Sequence, residues 1–225
     1  MPATALPVST ALLRTVPLFA ALPEEQLRTL VPVVTRRSAA RGTPVIAAGD
    51  PTDSLYLVIA GRLKVIIADS EGKEVILSIL GPGEFFGEMG LIDDHPRSAS
   101  VVAMEPCELI VLARRDFRRC LEENFEIAMG VMRGLVRRLR EADRKIGSLA
   151  LLDVYGRVAR LLLDMAEEVD GQKMVTRRLP KQDIAKMVGA SREMVSRVMK
   201  DLQRSGYIEM RGSTIVLRDG IAHTE

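Results

Sequence analysis

The sequence predicts an α+β protein: an N-terminal antiparallel β-roll of jelly-roll type, a long coiled-coil helix, and a C-terminal winged helix-turn-helix. Three observations predict it. Short β-branched runs separated by turn residues fill 43–114. A proline-free stretch with apolar residues at alternating gaps of four and three follows. Two short helices joined by Gly189-Ala190-Ser191 lie near the end. The expected division is 1–114 for the roll, 115–152 for the long helix and a hinge, and 153–225 for the helix-turn-helix module.

Pro23-Glu24-Glu25-Gln26-Leu27 predicts a short helix with acidic residues in its first turn, where the helix dipole favours them. Strands are expected over Val45 to Ala47, Leu55 to Ile59, Leu63 to Ile67, Val75 to Leu80, Ser98 to Val102 and Leu109 to Leu112. Turn-formers separate nearly all of them: Ala48-Gly49-Asp50-Pro51, Gly61, Asp69-Ser70-Glu71-Gly72-Lys73 and Gly81-Pro82-Gly83. From Arg115 to Leu149 one long helix is expected, with a heptad seam of Ala128, Met132, Leu135, Leu139, Ala142, Ile146 and Leu149, which favours a two-stranded coiled coil. Gly130 and Gly134 weaken that helix, so something must approach it closely there, and Gly147-Ser148 marks a hinge.

Val154 to Glu168 then reads as a helix, followed by a loop from Asp170-Gly171. Lys181 to Val188 and Arg192 to Arg204 form the helix-turn-helix, with Ser191 as N-cap of the second helix and Val195, Val198, Met199 and Leu202 on its core face. Its opposite face carries Glu193, Ser196, Arg197 and Lys200. Tyr207 to Met210 and Thr214 to Leu217, about Arg211-Gly212-Ser213, complete a hairpin wing.

A major groove admits one helix, whose outer face must offer donors and acceptors. Arg192 and Arg197 can bind guanine in a bidentate way and Glu193 can accept from cytosine. Lys181, Gln182, Ser191 at the start of the second helix, and Arg211 and Ser213 of the hairpin are expected to hold phosphates. From Gly171 to Arg218 eleven basic residues, Arg177 and Arg178 among them, stand against four acidic ones, a surface suited to a polyanion.

The second constellation is Gly83-Glu84-Phe85-Phe86-Gly87-Glu88-Met89-Gly90-Leu91, followed by Pro96-Arg97-Ser98-Ala99. Gly87 and Gly90 let backbone amides approach an anion, Arg97 offers a guanidinium fork to phosphate oxygens, Ser98 adds a hydroxyl, and Glu88 suits a ribose hydroxyl.

Hydrophobic residues make up 47% and charged residues 28%, enough to build a core, and no apolar run reaches the roughly 18 residues of a membrane span. Two cysteines, Cys107 and Cys120, and two histidines, His95 and His223, predict buried structural thiols and no metal site. His95, Asp93 and Asp94 read as exposed loop residues. The start of the chain lacks the basic region of a secretory signal, so a cytoplasmic protein is expected.

With these segments the chain resembles the cAMP receptor protein and FNR (Crp-Fnr) superfamily of bacterial transcription regulators. The resemblance is carried by the cassette above, Pro17-Leu18-Phe19, Glu71-Gly72-Lys73-Glu74, Arg137-Arg138-Leu139, Leu151-Leu152-Asp153-Val154 and Val188 to Val195. It implies a homodimer and no enzymatic activity. It also implies a cyclic nucleotide between roll and long helices, held by Gly87, Glu88, Met89, Gly90, Arg97 and Ser98, with Arg138, Ala142 and Asp143 contributed by the long helix. Operator DNA, read by Arg192, Glu193 and Arg197, is the implied partner, and RNA polymerase is a further one.

The long helix departs from the cAMP-binding pattern, because Ala142 and Asp143 replace the threonine and serine that contact adenine. Asp143 could accept from guanine instead, and Arg140-x-x-Asp143 resembles sites for cyclic di-GMP, so cAMP and cyclic di-GMP both stay open as effector. A constitutive DNA binder with a vestigial roll is the other alternative, and a jelly-roll enzyme with a docking module finds no catalytic residues in the roll.

Overall fold

The computed structural model describes residues 8–176 and 179–221. The chain packs as two compact units that part between Arg137 and Arg138. Arg177, Arg178 and His223 lie outside the described residues.

The first unit opens with α1 (Thr10–Arg14), which the sequence pattern missed, and α2 (Glu24–Leu30), with Glu24 and Glu25 in its first turn as expected. The strands β1 (Val34–Ala39), β2 (Pro44–Ile46), β3 (Ser54–Ala60), β4 (Leu63–Ala68), β5 (Glu74–Leu80) and β6 (Phe85–Phe86) follow. Then come the one-turn helix α3 (Met89–Ile92) and the strands β7 (Ser100–Ala103) and β8 (Cys107–Ala113). They form two antiparallel sheets, ordered β1-β8-β3-β6 and β2-β7-β4-β5. Pro44 is tolerated because β2 is an edge strand. β1 and β6 were not foreseen, and β7 starts two residues late because Ser98 and Ala99 belong to the preceding loop.

The near-unbroken apolar run of β3 has a physical reason. Successive side chains point to opposite faces, and both faces are covered. Leu55 and Leu57 join a core with Phe19, Leu27, Phe117 and Ile127, whereas Tyr56 and Val58 join the core inside the roll with Leu63, Val101 and Leu109. Both cysteines are buried, and burial pushes the Cys120 thiol up to about 11.

The helix expected from Arg115 to Leu149 is two helices, α4 (Arg114–Glu123) and α5 (Phe125–Leu151), because Asn124 adopts an extended conformation. In this unit α5 buries Ile127, Val131 and Gly134. A Cβ on Gly130 would stand 2.9 Å from Leu18 Cδ1, and one on Gly134 only 2.6 Å from Phe85 Cζ, so the close approaches these glycines imply are Leu18 and Phe85. The expected hinge at Gly147-Ser148 is helical, and α5 continues to Leu151. The break comes at Asp153, whose carboxylate accepts from Gly156 N at 2.8 Å and starts the next helix.

These contrasts give a paired prediction. Gly134→Ala should lower stability by about 1–2 kcal/mol, since crowding Phe85 outweighs the gain in helix propensity, whereas Gly147→Ala, with nothing within 4 Å, should raise it by up to about 1 kcal/mol. Chemical denaturation of the two variants checks the signs, and a stabilised Gly134→Ala would contradict the packing.

The second unit continues with α6 (Val154–Met165), β9 (Glu167–Val169), β10 (Gln172–Val175), α7 (Lys181–Val188), α8 (Arg192–Arg204), β11 (Ile208–Arg211) and β12 (Thr214–Leu217). Its sheet is ordered β11-β12-β10-β9. The stretch expected to end α6 and form a loop is a hairpin instead, closed by Asp170 and Gly171 with φ of 50° and 71°.

Candidate functional site

The loop from Gly87 to Ser98 is built around a buried arginine. Arg97 is 6% exposed, and its guanidinium donates to Gly87 O and Ser54 O, both at 2.8 Å, and to Asp53 Oδ1 at 3.3 Å. It also lies 5.8 Å from the Tyr56 ring, which stacks on Phe86 at 5.0 Å. Carbonyls and a carboxylate thus hold the charge in place. Gly87 has φ of 87°, and a Cβ on it would stand 2.4 Å from Arg97 Nη1, so the approach of loop to guanidinium requires glycine. A Cβ on Gly90 would stand 2.2 Å from His95 O, which folds the loop back on itself.

Ser98 is exposed beside Met89, with its Oγ 3.8 Å from Met89 Sδ. Glu88, at the start of α3, is 1% exposed. The structure therefore brings Gly87, Glu88, Met89, Gly90, Arg97 and Ser98 into one loop, a compact fixture with one buried cation and one exposed hydroxyl. Arg138, Ala142 and Asp143 sit on the portion of α5 within the second unit, Arg138 half-buried and the other two exposed.

Sequence reasoning missed the loop's supports. Arg114 donates to Thr52 O at 2.6 Å and to Gly90 O at 3.2 Å, and pairs with Asp94, which also takes Arg118 at 2.7 Å. The Arg118 and Arg114 guanidinia hold the Asp94 carboxyl below its usual value. Asp94 and His95 are exposed, as expected, but Asp94 is also the loop's tether to α4. The available signal was the Arg-Arg-x-x-Arg-Arg spacing of 114–119, which puts Arg114 and Arg118 on one helix face. Among the described residues no group of three or more His, Cys, Asp or Glu side chains could hold a metal ion.

The second unit presents a basic helix face. Gly189 ends α7 in the left-handed conformation, with φ of 64°, and Ser191 accepts from Met194 N at 3.1 Å to cap α8. Val195, Val198, Met199 and Leu202 are buried, which turns Arg192, Glu193, Arg197 and Lys200 outward, with Ser196 half-buried. Lys181 and Gln182 are exposed at the start of α7. A further arginine, Arg157 on α6, donates to Val188 O at 2.8 Å and Leu152 O at 2.9 Å, joining the ends of α7 and α5. Arg211 of the wing is engaged by Glu209 at 2.7 Å.

Comparison with known proteins gives this arrangement its relatives. Residues 36–124 match the cyclic nucleotide-binding domain family and residues 156–220 the Crp-like helix-turn-helix domain family. The cAMP-activated global transcriptional regulator Vfr of Pseudomonas aeruginosa is 38% identical over 189 residues, covering 81% of this chain and 88% of Vfr. CRP of Haemophilus influenzae, also a cAMP-activated global transcriptional regulator, is 39% identical over 180 residues, 77% of this chain and 79% of that protein. The solved structure of CLP, a cyclic di-GMP-responsive global regulator of Xanthomonas campestris, superposes with a TM-score of 0.72 at 32% identity, over 87% of this chain and 99% of CLP. No described helix is long and apolar enough to cross a membrane. The chain belongs to the Crp-Fnr family of transcription regulators, carrying a cyclic nucleotide-binding domain ahead of a Crp-like helix-turn-helix domain.

Proposed function

We propose that this protein is a homodimeric, sequence-specific DNA-binding regulator, not an enzyme, controlled by a cyclic nucleotide whose phosphate engages Arg97 and Ser98. The observation that carries the effector reading is the buried Arg97 beneath the Gly87–Gly90 loop. A phosphate is a stronger acceptor than the two carbonyls that hold the guanidinium, so an anion arriving at the exposed Ser98 hydroxyl can draw on it. Glu88 suits the ribose. The functional division is 1–114 for effector binding, 115–152 for dimerisation and 153–225 for DNA.

On the DNA side, Arg192, Glu193 and Arg197 read bases in the major groove, and Lys181, Gln182, Ser191, Ser196 and Lys200 hold backbone and register. For dimerisation, Met132, Leu139, Ile146 and Leu149 of the heptad seam are 46–64% exposed on α5, an apolar line suited to a second copy of the same helix. Such a dimer acts on chromosomal operators in the cytoplasm and works with RNA polymerase.

cAMP is the effector favoured by Vfr and CRP. Cyclic di-GMP is the second reading, favoured by the Arg140-x-x-Asp143 pattern and the likeness to CLP. A thermal-shift titration with cAMP, cGMP and cyclic di-GMP tests both, because a ligand at 100 times its Kd stabilises the fold by about 2.7 kcal/mol. A shift with cAMP alone supports the first reading, and a shift with cyclic di-GMP alone that Asp143→Ala removes supports the second. Coupling to DNA must be reciprocal, so operator should change effector affinity by the same factor, about 5- to 150-fold. No shift with any nucleotide would favour a constitutive DNA binder with a vestigial roll.

A further inference from the structure

We propose that Glu209 is an electrostatic brake on the wing, a positioning residue that sets how much of the wing's positive charge reaches DNA. This rests on the DNA-binding reading above and concerns a residue to which that reading gives no role. Glu209 pairs across the ribbon with Val216 and Arg211 with Thr214. With the two-residue period of a strand, Glu209, Arg211 and Arg218 therefore stand on one face. The Glu209 carboxylate accepts from Arg211 at 2.7 and 3.2 Å through separate oxygens, and Arg218 pairs with one of those oxygens as well. All three side chains are 41–48% exposed, so the cluster lies where a DNA backbone could reach it.

The arrangement presents one net positive charge where two guanidinia would present two. A phosphate approaching Arg211 competes with a carboxylate already held in a fork, the geometry that arginine also offers to phosphate. The Arg211 and Arg218 guanidinia hold the Glu209 carboxyl down to about 2, so the brake remains charged at any pH where duplex DNA is stable. The turn at Gly212, with φ of 62°, keeps Arg211 at the ribbon tip beside Ser213, where a phosphate contact is expected.

Neutralising Glu209 without changing its shape should release both arginines. By counterion release, each added phosphate contact tightens binding by up to about tenfold at 0.1 M salt and steepens the plot of log affinity against log salt by about 1. The experiment measures fluorescence anisotropy of full-length protein on a non-specific 30-base-pair duplex across a salt series. It compares the wild type, Glu209→Gln, and Glu209→Gln combined with Arg211→Ala and Arg218→Ala.

The expected result is about 3- to 10-fold tighter binding at 0.1 M salt and a steeper slope for Glu209→Gln, with both gains gone in the triple variant. Unchanged binding by Glu209→Gln would overturn the brake. So would weaker binding, which would mean that Glu209 aims Arg211 at DNA instead. A gain that survives in the triple variant would also overturn it, because the two arginines would not be its source. A wild type with no salt-sensitive duplex binding would overturn the DNA reading and the brake together, so failure of the inference alone is distinguishable.

Discussion

Arg97→Ala is expected to abolish the thermal shift produced by the effector and to weaken its binding at least about 100-fold. Two hydrogen bonds from a charged donor to a phosphate contribute about 1.5–3 kcal/mol each, and alanine removes both. The free protein should also melt earlier, because Gly87 O, Ser54 O and Asp53 lose the donor they share and a buried space opens beneath the loop. Arg97→Lys separates the two effects. A lysine keeps the charge but offers no fork, so it should retain part of the stability and little of the affinity. Calorimetric titration read beside the melting of the free protein checks this. Full effector affinity in Arg97→Ala, with the fold intact, would remove the residue on which the effector reading stands.

The second large effect is expected at the seam of α5. Replacing Leu139 and Ile146 together by glutamate places like charges along the apolar line that a second copy would cover. At 62% and 64% exposed in the single chain, these residues contribute little to its internal packing, so each unit should keep its fold. Sedimentation should show a monomer. Operator affinity should fall by about 100-fold or more, because a two-fold operator then loses the linkage between its half-sites. A variant that sediments as a dimer and binds operator normally would place the interface elsewhere.

The elements legible beforehand are those whose local chemistry agrees with their tertiary surroundings. The α7–α8 pair could be read because Gly189 must adopt the left-handed conformation, Ser191 must cap, and the buried face repeats at helical spacing. The six anticipated strands of the roll could be read because turn residues separate nearly all of them. β1 could not, since Thr35, Arg36, Arg37 and Ser38 are polar on an edge strand, where Glu108 of the neighbouring strand satisfies Arg36 and Ser38. β9 and β10 escaped for a similar reason. Glu167, Glu168 and Gln172 carry no strand pattern, and Asp170-Gly171 reads equally as a loop or a hairpin turn.

The loop from Gly87 to Ser98 divides in the same way. Gly87, Gly90, Arg97 and Ser98 could be singled out because a phosphate needs open backbone, a guanidinium and a hydroxyl close together in sequence. Their supports come from far along the chain. Thr52, Asp53, Ser54 and Tyr56 arrive with β3, and Arg114 and Arg118 with the start of α4. Glu209 escaped because an acidic residue between apolar neighbours on a wing reads as an ordinary solvated face.

Fold class, the helix-turn-helix, the outward face of α8 and the glycine-arginine-serine pattern of 87–98 were all legible in the amino-acid order, because each follows from periodicity, turn chemistry or spacing within a few neighbours. Three-dimensional packing was needed to turn Arg97 inward onto Gly87 and Ser54, to break the long helix at Asn124 and carry it on through Gly147, and to bring Glu209 onto two wing arginines. Those outcomes depend on hydrogen-bond partners and packing faces brought together across the fold, and residues distant in sequence meet only once the sheets and helices have closed around their cores.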